Sequence, residues 1–248
     1  MTINKRTAHI WTLCIDRIKP IKKDLFTVLS SDEQERALRF KFEEHSTSYT
    51  VTRASLRLLL ARYLQKIPEK LNIEYSLHGK PSLKKIDSGE FVCFNVSHSA
   101  DYGQIAITKS TPVGIDIECC HPKRPLDYMK LAERFFSPRE YTNLRELPES
   151  ERLHAFYRCW TCKEAYIKAV GLGLALQLDT FSVNFLDDRD LQITVNHKQG
   201  TKVLREWSLF DISNIEDYQS AIATDSSITE LLHFELDPGS LEKAVEGS

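Results

Sequence analysis

The sequence lacks any apolar run long enough to cross a membrane. Its best candidate, residues 56–64, is interrupted by Arg57 and Arg62, whereas a membrane-spanning helix needs about 20 consecutive apolar residues. Residues 1–6 are polar, and no apolar signal core follows them. We therefore expect a cytoplasmic protein with no membrane partner.

The sequence also lacks an excess of charge of either sign. Lysine and arginine number 33 and aspartate and glutamate 35, which gives a formal net charge of −2. Bulk charge therefore provides no attraction to nucleic acid or to an anionic membrane. A local basic pocket for a phosphorylated ligand is compatible with this balance, and we expect no nucleic-acid partner.

The cysteines lack the companions that a structural zinc site needs. Among six cysteines, Cys159 and Cys162 have the Cys-x-x-Cys spacing, but no second such pair and no spaced histidine pair completes a zinc set. The pair also lies inside a predicted helix, whereas a redox pair opens a helix after a strand. We therefore expect free thiols, buried or half-buried, in a reducing compartment.

Length and composition are those of an ordinary globular protein. The 248 residues, 42% hydrophobic and 27% charged, can bury a core as one large domain or as two small ones. The chain contains no low-complexity tract, long linker or internal sequence repeat. The patterns alone predict mixed α and β structure, with helices and strands in both halves.

Periodicity and turn residues predict the individual elements. We predict helices at 31–42, 46–65, 127–134, 138–147 and 148–170. We predict extended segments at 8–15, 73–77, 91–96, 103–108, 113–118, 181–186, 191–195, 202–210 and 219–223. Pro68 ends the long helix of the first half and Gly171 ends that of the second.

Two carboxylates lie two residues apart in the β-branched segment Val-Gly-Ile-Asp-Ile-Glu at 113–118. On a strand this spacing points Asp116 and Glu118 to the same face. At a separation of about 6 Å they repel by roughly 3 kcal/mol at an effective dielectric of about 20. A cation between them is therefore favoured. The alternative is a solvated strand edge.

A third carboxylate lies on the helix predicted at 148–170. An apolar stripe with a spacing of three or four residues includes Glu164, together with Leu153, Phe156, Trp160 and Ile167. A carboxylate on such a stripe is unfavourable unless it is paired or binds a metal. With Lys168 one turn later, the three carboxylates suggest a magnesium site for phosphate chemistry. The alternative for Lys168 is a helical salt bridge to Glu164.

These motifs, with others, resemble the Sfp-type 4′-phosphopantetheinyl transferases. Five occur in the family's order: His-Gly-Lys-Pro at 78–81, Phe-Asn-Val-Ser-His-Ser at 94–99, Gly-Ile-Asp-Ile-Glu at 114–118, Arg-Phe-Phe-Ser-Pro-Arg-Glu-Tyr at 134–141 and Trp-Thr-Cys-Lys-Glu-Ala-Tyr-Ile-Lys at 160–168, with glycines at 171 and 173. Each motif alone is weak, since Gly-Lys-Pro is most often a simple turn. Their order and compatible spacing carry the resemblance, which covers residues 78 to 173.

The resemblance implies a mixed α/β fold of the α+β class, with two similar α/β halves related by a pseudo-twofold axis and the active site between them. We accordingly divide the chain into residues 1–110, on the nucleotide and 3′-phosphate side, and residues 111–248, which carry the metal and catalytic motifs. The family's large type, to which this length corresponds, is monomeric.

The resemblance also implies an activity. Members of the family move the phosphopantetheine arm of coenzyme A onto a serine of an apo acyl or peptidyl carrier protein and release 3′,5′-ADP. The reaction uses Mg²⁺. The expected partners are therefore coenzyme A and a carrier protein, and either coenzyme A or acyl-coenzyme A is a candidate donor.

By motif position, Asp116, Glu118 and Glu164 match the family's magnesium ligands. Glu164 is also the candidate general base, acting through a bound water, because a metal-bound carboxylate is a weak base. Lys168 matches a phosphate contact that stabilises the transition state. Lys163 is a second candidate phosphate contact, although adjacent helical positions point in different directions.

The contacts to the nucleotide end of coenzyme A match positions in the first half. Ser97 and His98 match the family's 3′-phosphate contacts, and Lys80 matches a basic contact to the nucleotide. Without the motif, His98 would be a histidine of a surface turn. Arg53 is a further candidate on the long helix, and Glu140 matches the family's Phe-Ser-x-x-Glu motif without an assigned role.

Two other kinds of protein are compatible with the same residues. One is a magnesium-dependent hydrolase that acts on coenzyme A or a related nucleotide. It would release 3′,5′-ADP without an apo carrier protein. The other is a binding module that holds coenzyme A or a carrier without turnover.

Overall fold

The computed structural model describes residues 1–84, 91–123, 126–186, 193–195 and 206–247. The strands are β1 (Thr7–Cys14), β2 (Ile73–Tyr75), β3 (Pro81–Leu83), β4 (Val92–Ser99), β5 (Tyr102–Lys109), β6 (Val113–Cys119), β7 (Phe181–Val183), β8 (Ile193–Val195), β9 (Trp207–Asp211), β10 (Tyr218–Asp225) and β11 (Glu230–Leu236). The helices are α1 (Ile15–Ile18), α2 (Lys22–Thr27), α3 (Ser31–Leu38), α4 (Glu43–Leu64), α5 (Tyr128–Phe135), α6 (Pro138–Glu146), α7 (Glu149–Val170) and α8 (Pro238–Glu246). Short 3₁₀ turns lie at Lys19–Ile21, Pro68–Lys70, Gly173–Ala175 and Leu178–Thr180.

The first sheet has the strand order β11-β1-β5-β4. β1 pairs antiparallel with β5, β5 pairs antiparallel with β4, and β11 pairs in parallel with the other edge of β1. Successive side chains of β1 point to opposite faces. Trp11 and Leu13 pack in the core that includes α4, whereas Ala8 and Ile10 face the second sheet. Strand β1 is therefore buried on both faces.

The second sheet has the order β6-β10-β9, with antiparallel pairing throughout. Val113, Ile115 and Ile222 face the first sheet. Ala221 and Ala223 point the other way and pack in the core that includes α7. The layers are therefore α4, the first sheet, the second sheet and α7.

The two halves of the chain repeat one topology. In the first half, β1 is followed by the 22-residue helix α4 and by the hairpin β4–β5. In the second, β6 is followed by the 22-residue helix α7 and by the hairpin β9–β10. In each half the first strand pairs antiparallel with the last. The predicted mixed fold with two similar α/β halves is confirmed by this repetition.

The C-terminal residues return to the first half. β11 pairs with β1 over Thr7 to Leu13, and Leu241 of α8 is buried in the same core as α4. Residues 230–246 thus belong to the second part of the sequence but pack on the first sheet. The division at residues 110 and 111 stays a prediction.

Most predicted elements are present, with small shifts of their ends. The five predicted helices are α3 to α7, and their ends differ from the prediction by at most four residues. Residues 191–192 and 202–205 of two predicted strands lie outside the described residues, and the described parts form β8 and β9. The patterns did not predict α1, α2, β3, β11 or α8. The first three are only four, six and three residues long, and such short elements show little periodicity.

None of the described helices is both long and apolar enough to span a membrane.

Candidate active site

The backbones of β6 and α7 touch at Gly114. A Cβ atom on Gly114 would lie 2.0 Å from the carbonyl oxygen of Ala165 and 2.3 Å from the amide nitrogen of Ala169. The strand can approach the helix this closely because glycine has no side chain and both opposing residues are alanines. The contact brings Asp116, two residues further along the same face of β6, to Lys168 on α7.

Asp116 is almost fully buried and lies at the centre of the site. Its Oδ1 accepts hydrogen bonds from Lys168 Nζ at 2.6 Å and from Ser97 Oγ at 2.8 Å. Lys168 Nζ also donates to Ser97 Oγ at 3.0 Å. The ion pair of Lys168 is therefore with Asp116 on β6 rather than the helical salt bridge to Glu164. Asp116 Oδ2 is buried and has no hydrogen-bond partner among the described residues.

Glu118 lies on the same face of β6, and Ser99 of β4 holds it. Ser99 Oγ donates to Glu118 Oε2 at 2.7 Å and accepts from the amide of Cys119 at 3.1 Å. Burial, and next the negative charge of Asp116, raise the pKa of Glu118 to about 7. Glu164 raises it further, whereas the bond from Ser99 and the charge of Lys168 lower it. The site thus holds more negative charge than Lys168 alone compensates.

Glu164 of α7 faces the same cluster. Burial and the charge of Asp116 raise its pKa, and Lys168 opposes that rise. A carboxyl group in such surroundings accepts a proton more readily than a solvated one. Glu164 also lines a cavity beside the cluster, so it is placed to contact a bound ligand.

The donor set of this cluster fits a hard divalent cation. Carboxylate oxygens are the ligands that Mg²⁺ prefers, and Mg²⁺ is commonly held by one or two of them together with waters and substrate phosphate oxygens. Asp116 Oδ2 is buried and accepts no hydrogen bond from the described residues, so it is available to a cation. Within the described ranges, no three His, Cys, Asp or Glu side chains are placed to hold a metal ion by themselves. The residues therefore fit a site that a substrate would complete.

A cavity of about 560 Å³ opens between the two halves beside Glu164 and Lys168. The turn between β2 and β3 and the middle of β4 form its first-half wall, with His78, Gly79, Lys80, Pro81, Asn95 and Val96. The end of α5, the end of α7 and the following 3₁₀ turns form the second-half wall, with Arg134, Phe135, Ile167, Gly171, Gly173, Leu176, Gln177, Leu178 and Asp179. Its size is typical of cofactor and small-molecule sites.

Lys80 lines this cavity, but its ammonium group points to backbone. Lys80 Nζ donates to the carbonyl oxygens of Lys168 at 2.5 Å, Ala169 at 3.1 Å and Val113 at 3.2 Å. Burial lowers the pKa of Lys80 to about 8, while three accepting carbonyls favour its charged form. The expected nucleotide contact of Lys80 stays a prediction.

Ser97 and His98, the predicted 3′-phosphate contacts, point to opposite sides of β4. Ser97 is buried and bonded to Asp116 and Lys168, whereas His98 is exposed. Partial desolvation lowers the pKa of the His98 imidazole, and the charges of Lys168 and His45 lower it further. The structure therefore brings Ser97 into the carboxylate cluster and leaves the phosphate role of His98 as a prediction.

Lys163 lies away from the cluster, on the core side of α7. Its fully buried ammonium group donates to both carboxylate oxygens of Glu140 at 2.8 and 2.6 Å and to the carbonyl oxygen of Phe181 at 2.8 Å. Glu140 also accepts from the amides of Ser137 and Val183, each at 2.7 Å. The structure does not bring Lys163 to the cavity, and this pair instead joins α6, α7 and β7.

Arg53 also has protein partners. It pairs with Glu33 at 3.4 Å, donates to Tyr75 Oη, and lies over the rings of Tyr49 and Tyr75. It does not line the cavity between the halves.

None of the six cysteines forms a disulfide, in agreement with the prediction. Cys159 and Cys162 are fully buried, and burial raises the pKa of both thiols. Buried thiols of this kind are unreactive.

Sequence reasoning did not identify Asn95 and Ser99 as site residues. Asn95 Oδ1 accepts from the amide of Ile115 at 2.8 Å, and Ser99 holds Glu118. With Ser97 they occupy alternate positions of β4, so all three side chains point to the same face, toward β6. The signal was present in the sequence as the alternation Asn-x-Ser-x-Ser at 95–99.

Comparison with known proteins points to one family. The sequence model of the 4′-phosphopantetheinyl transferase superfamily matches residues 112–223, and the model of the 4′-phosphopantetheinyl transferase N-terminal region matches residues 19–110. The chain is also similar to a holo-(acyl-carrier-protein) synthase from Bacillus anthracis in complex with coenzyme A. That similarity has a TM-score of 0.35 and 23% identity, over 46% of this chain and 94% of that one.

Curated relatives cover more of the chain. The 4′-phosphopantetheinyl transferase HetI of Nostoc sp. is 34% identical over 223 residues, which are 90% of each protein. The transferase Sfp of Bacillus subtilis is 32% identical over 165 residues, which are 66% of this chain and 70% of Sfp. The human L-aminoadipate-semialdehyde dehydrogenase-phosphopantetheinyl transferase is 28% identical over 219 residues, which are 84% of this chain and 67% of the relative. The chain belongs to the 4′-phosphopantetheinyl transferase superfamily.

Proposed function

We propose that this protein is a magnesium-dependent 4′-phosphopantetheinyl transferase. It moves the phosphopantetheine arm of coenzyme A onto a serine of an apo acyl or peptidyl carrier protein and releases 3′,5′-ADP. The observation that carries the proposal is the cluster of Asp116, Glu118, Glu164 and Lys168 at one end of a cavity between the halves. Membership of the superfamily and the names of the relatives support it.

The reaction is a displacement at the β-phosphate of coenzyme A. The carrier serine oxygen forms the new bond to phosphorus, the bond to 3′,5′-ADP breaks, and the serine proton leaves to a base. We assign that base to Glu164, acting through a bound water. Burial and the charge of Asp116 raise its pKa, which improves a carboxylate as a proton acceptor near neutral pH.

Lys168 stabilises the charge that develops on the phosphate oxygens. Its ammonium group is held at 2.6 Å from Asp116 Oδ1 and 3.0 Å from Ser97 Oγ, and it is partly exposed toward the cavity. A donor fixed before the reaction stabilises a transition state better than a mobile one, because no reorganisation is needed. Ser97 therefore acts here through the orientation of Lys168.

The three carboxylates would hold the metal. With the phosphate oxygens of coenzyme A completing the site, Mg²⁺ held by Asp116, Glu118 and Glu164 would supply positive charge to the pyrophosphate. Burial raises the pKa of both Glu118 and Glu164, and the negative charge of Asp116 raises both further, so a cation here would relieve the repulsion among these carboxylates.

The cavity between the halves is the proposed site of the nucleotide end of coenzyme A, and His98 is a proposed 3′-phosphate contact. One chain supplies both walls of the cavity, so we infer that the protein acts as a monomer. Six cysteines that form no disulfide support the inference of a cytoplasmic location, where thiols stay reduced.

Release of 3′,5′-ADP from coenzyme A, with and without an apo carrier protein, tests the reaction. We expect release that depends on the carrier, and a loss of at least about 100-fold in Glu164→Gln. Glu151→Gln is the matched control, because Glu151 is an exposed carboxylate of the same helix. Release without any carrier would point to a hydrolase, and binding without release would point to a binding module. Full activity in Glu164→Gln would contradict the assigned base.

A further inference from the structure

A side chain from the first half of the protein caps the C-terminal end of α7. The last carbonyl groups of a helix have no partner within that helix. Lys80 Nζ donates to two of them, those of Lys168 and Ala169, and to the carbonyl of Val113 at the start of β6. A cation at a helix C-terminus also interacts favourably with the helix dipole. One ammonium group therefore joins the β2–β3 turn to both elements that carry the catalytic side chains.

The turn that presents Lys80 is itself fixed. The amide of Ser76 donates to the carbonyl oxygen of Lys80 at 2.9 Å, and the amide of Gly79 donates to the carbonyl oxygen of Ser76 at 2.9 Å. The amide of Lys80 donates to Ser76 Oγ at 3.1 Å. Gly79 has φ +78°, a conformation that glycine adopts without strain. The position of the Lys80 backbone is therefore set within the turn, independently of α7.

The turn and the end of α7 are packed together. Gly171 ends the helix with φ +80°, and a Cβ atom there would lie 3.2 Å from Lys80 Cδ. A Cβ atom on Gly173 would lie 3.4 Å from the carbonyl oxygen of His78. These residues line the cavity between the halves, so the contact between the turn and α7 sets the shape of its wall.

We propose that Lys80 is a positioning residue that fastens the two halves together at the end of α7, and that it does not contact the 3′-phosphate of the substrate. A lysine ammonium group has three donors, and all three of these are engaged by backbone carbonyls. A direct phosphate contact would require at least one of these bonds to break. Because the carbonyl of Lys168 is among the acceptors, Lys80 also fixes the residue whose ammonium group meets Asp116. The consequence for coenzyme A rests on the function proposed above.

The experiment uses Lys80→Met, which keeps the length of the side chain and removes its donors. Lys84→Met is the matched control, because Lys84 is an exposed lysine just after β3 whose pairing with Glu74 spans 3.8 Å. Unfolding midpoints are measured without ligand. Affinities for coenzyme A and for dephospho-coenzyme A, which lacks the 3′-phosphate, are measured by titration calorimetry without a carrier protein.

We expect Lys80→Met to lower the unfolding midpoint by about 4 to 8 °C, and Lys84→Met to leave it nearly unchanged. We expect the affinities for coenzyme A and dephospho-coenzyme A to fall by the same factor, within about threefold. An unchanged midpoint would overturn the proposal, and so would a loss of about tenfold or more that is confined to coenzyme A. Lys80→Arg keeps cationic donors and allows the same comparison if Lys80→Met does not fold. If the wild-type protein bound neither compound, the proposed function would fail, while the midpoints would still decide the role of Lys80.

Discussion

The contact between β6 and α7 leaves no room for a residue larger than glycine at position 114. In Gly114→Ala the added carbon would lie 2.0 Å from the carbonyl oxygen of Ala165, and real contacts of this kind are not shorter than 3.0 Å. The opposing atoms are backbone atoms of α7, so no side chain can rotate away. The strand and the helix must therefore separate by at least about 1 Å.

That separation affects both stability and the site. Overpacking typically costs about 1 to 3 kcal/mol, and we expect the upper end of this range, about 3 kcal/mol, because two rigid elements must move. For a protein of this size such a loss lowers the unfolding midpoint by about 6 to 12 °C. The bond between Lys168 Nζ and Asp116 Oδ1, now 2.6 Å, would lengthen beyond hydrogen-bonding distance.

The assay compares thermal unfolding and carrier modification in Gly114→Ala and Gly103→Ala. Gly103 also lies in a strand, but the three atoms nearest to a Cβ atom there would all be side-chain atoms, with those of Leu13 at 3.3 Å. We expect a large fall of the midpoint and loss of transfer at temperatures where Gly114→Ala is still folded, and a small fall for Gly103→Ala. The reasoning is refuted if both variants unfold within about 2 °C of the wild-type protein and Gly114→Ala keeps full activity.

Three further predictions concern charged residues. Asp116→Asn should reduce transfer by about 100-fold or more and leave the circular dichroism spectrum unchanged; retained transfer would contradict the site. Lys163→Met leaves Glu140 buried and unpaired, so urea unfolding should show a loss of about 3 kcal/mol or more. The free energy of unfolding of the exposed control Lys123→Met should change little. Calorimetry on folded Lys163→Met should give the coenzyme A affinity of the wild-type protein. A Lys163→Met variant that kept full stability but lost this affinity would show a binding role for Lys163 instead. Because the folded-state pKa of Glu118 is raised to about 7, the native state binds more protons than the unfolded state between about pH 4.5 and pH 7. The unfolding midpoint of the metal-free protein should therefore fall as the pH rises across that window, and the midpoint of Glu118→Gln should fall less. Equal slopes of midpoint against pH in the two proteins would contradict the raised pKa of Glu118.

The sequence predicted the carboxylate cluster because its geometry is local. Asp116 and Glu118 share a face of one strand, and Glu164 and Lys168 lie one turn apart on one helix, so periodicity alone places each pair. Which side chain meets Lys168 depends on how β6 packs against α7. The answer, Asp116, follows from the glycine contact rather than from a spacing.

Long-range pairing explains what the sequence did not predict. Lys163 is next to Glu164, but its partner Glu140 lies 23 residues away on α6. Lys80 donates to carbonyl groups about 88 residues further along the chain. Every residue has a backbone carbonyl, so such acceptors cannot be recognised from residue identities. The C-terminal strand β11 pairs with β1 from the opposite end of the chain, and its side chains are mostly exposed or half-buried. Such an edge strand shows no clear alternation of apolar and polar residues.

The central claim is the transfer itself, and intact-mass spectrometry tests it most directly. An apo carrier protein is mixed with this protein, coenzyme A and Mg²⁺, with and without a chelator. We predict that the carrier gains the mass of one phosphopantetheine arm and that the chelator prevents the gain. No gain on several different apo carriers, although coenzyme A binds, would contradict the account and favour a binding module.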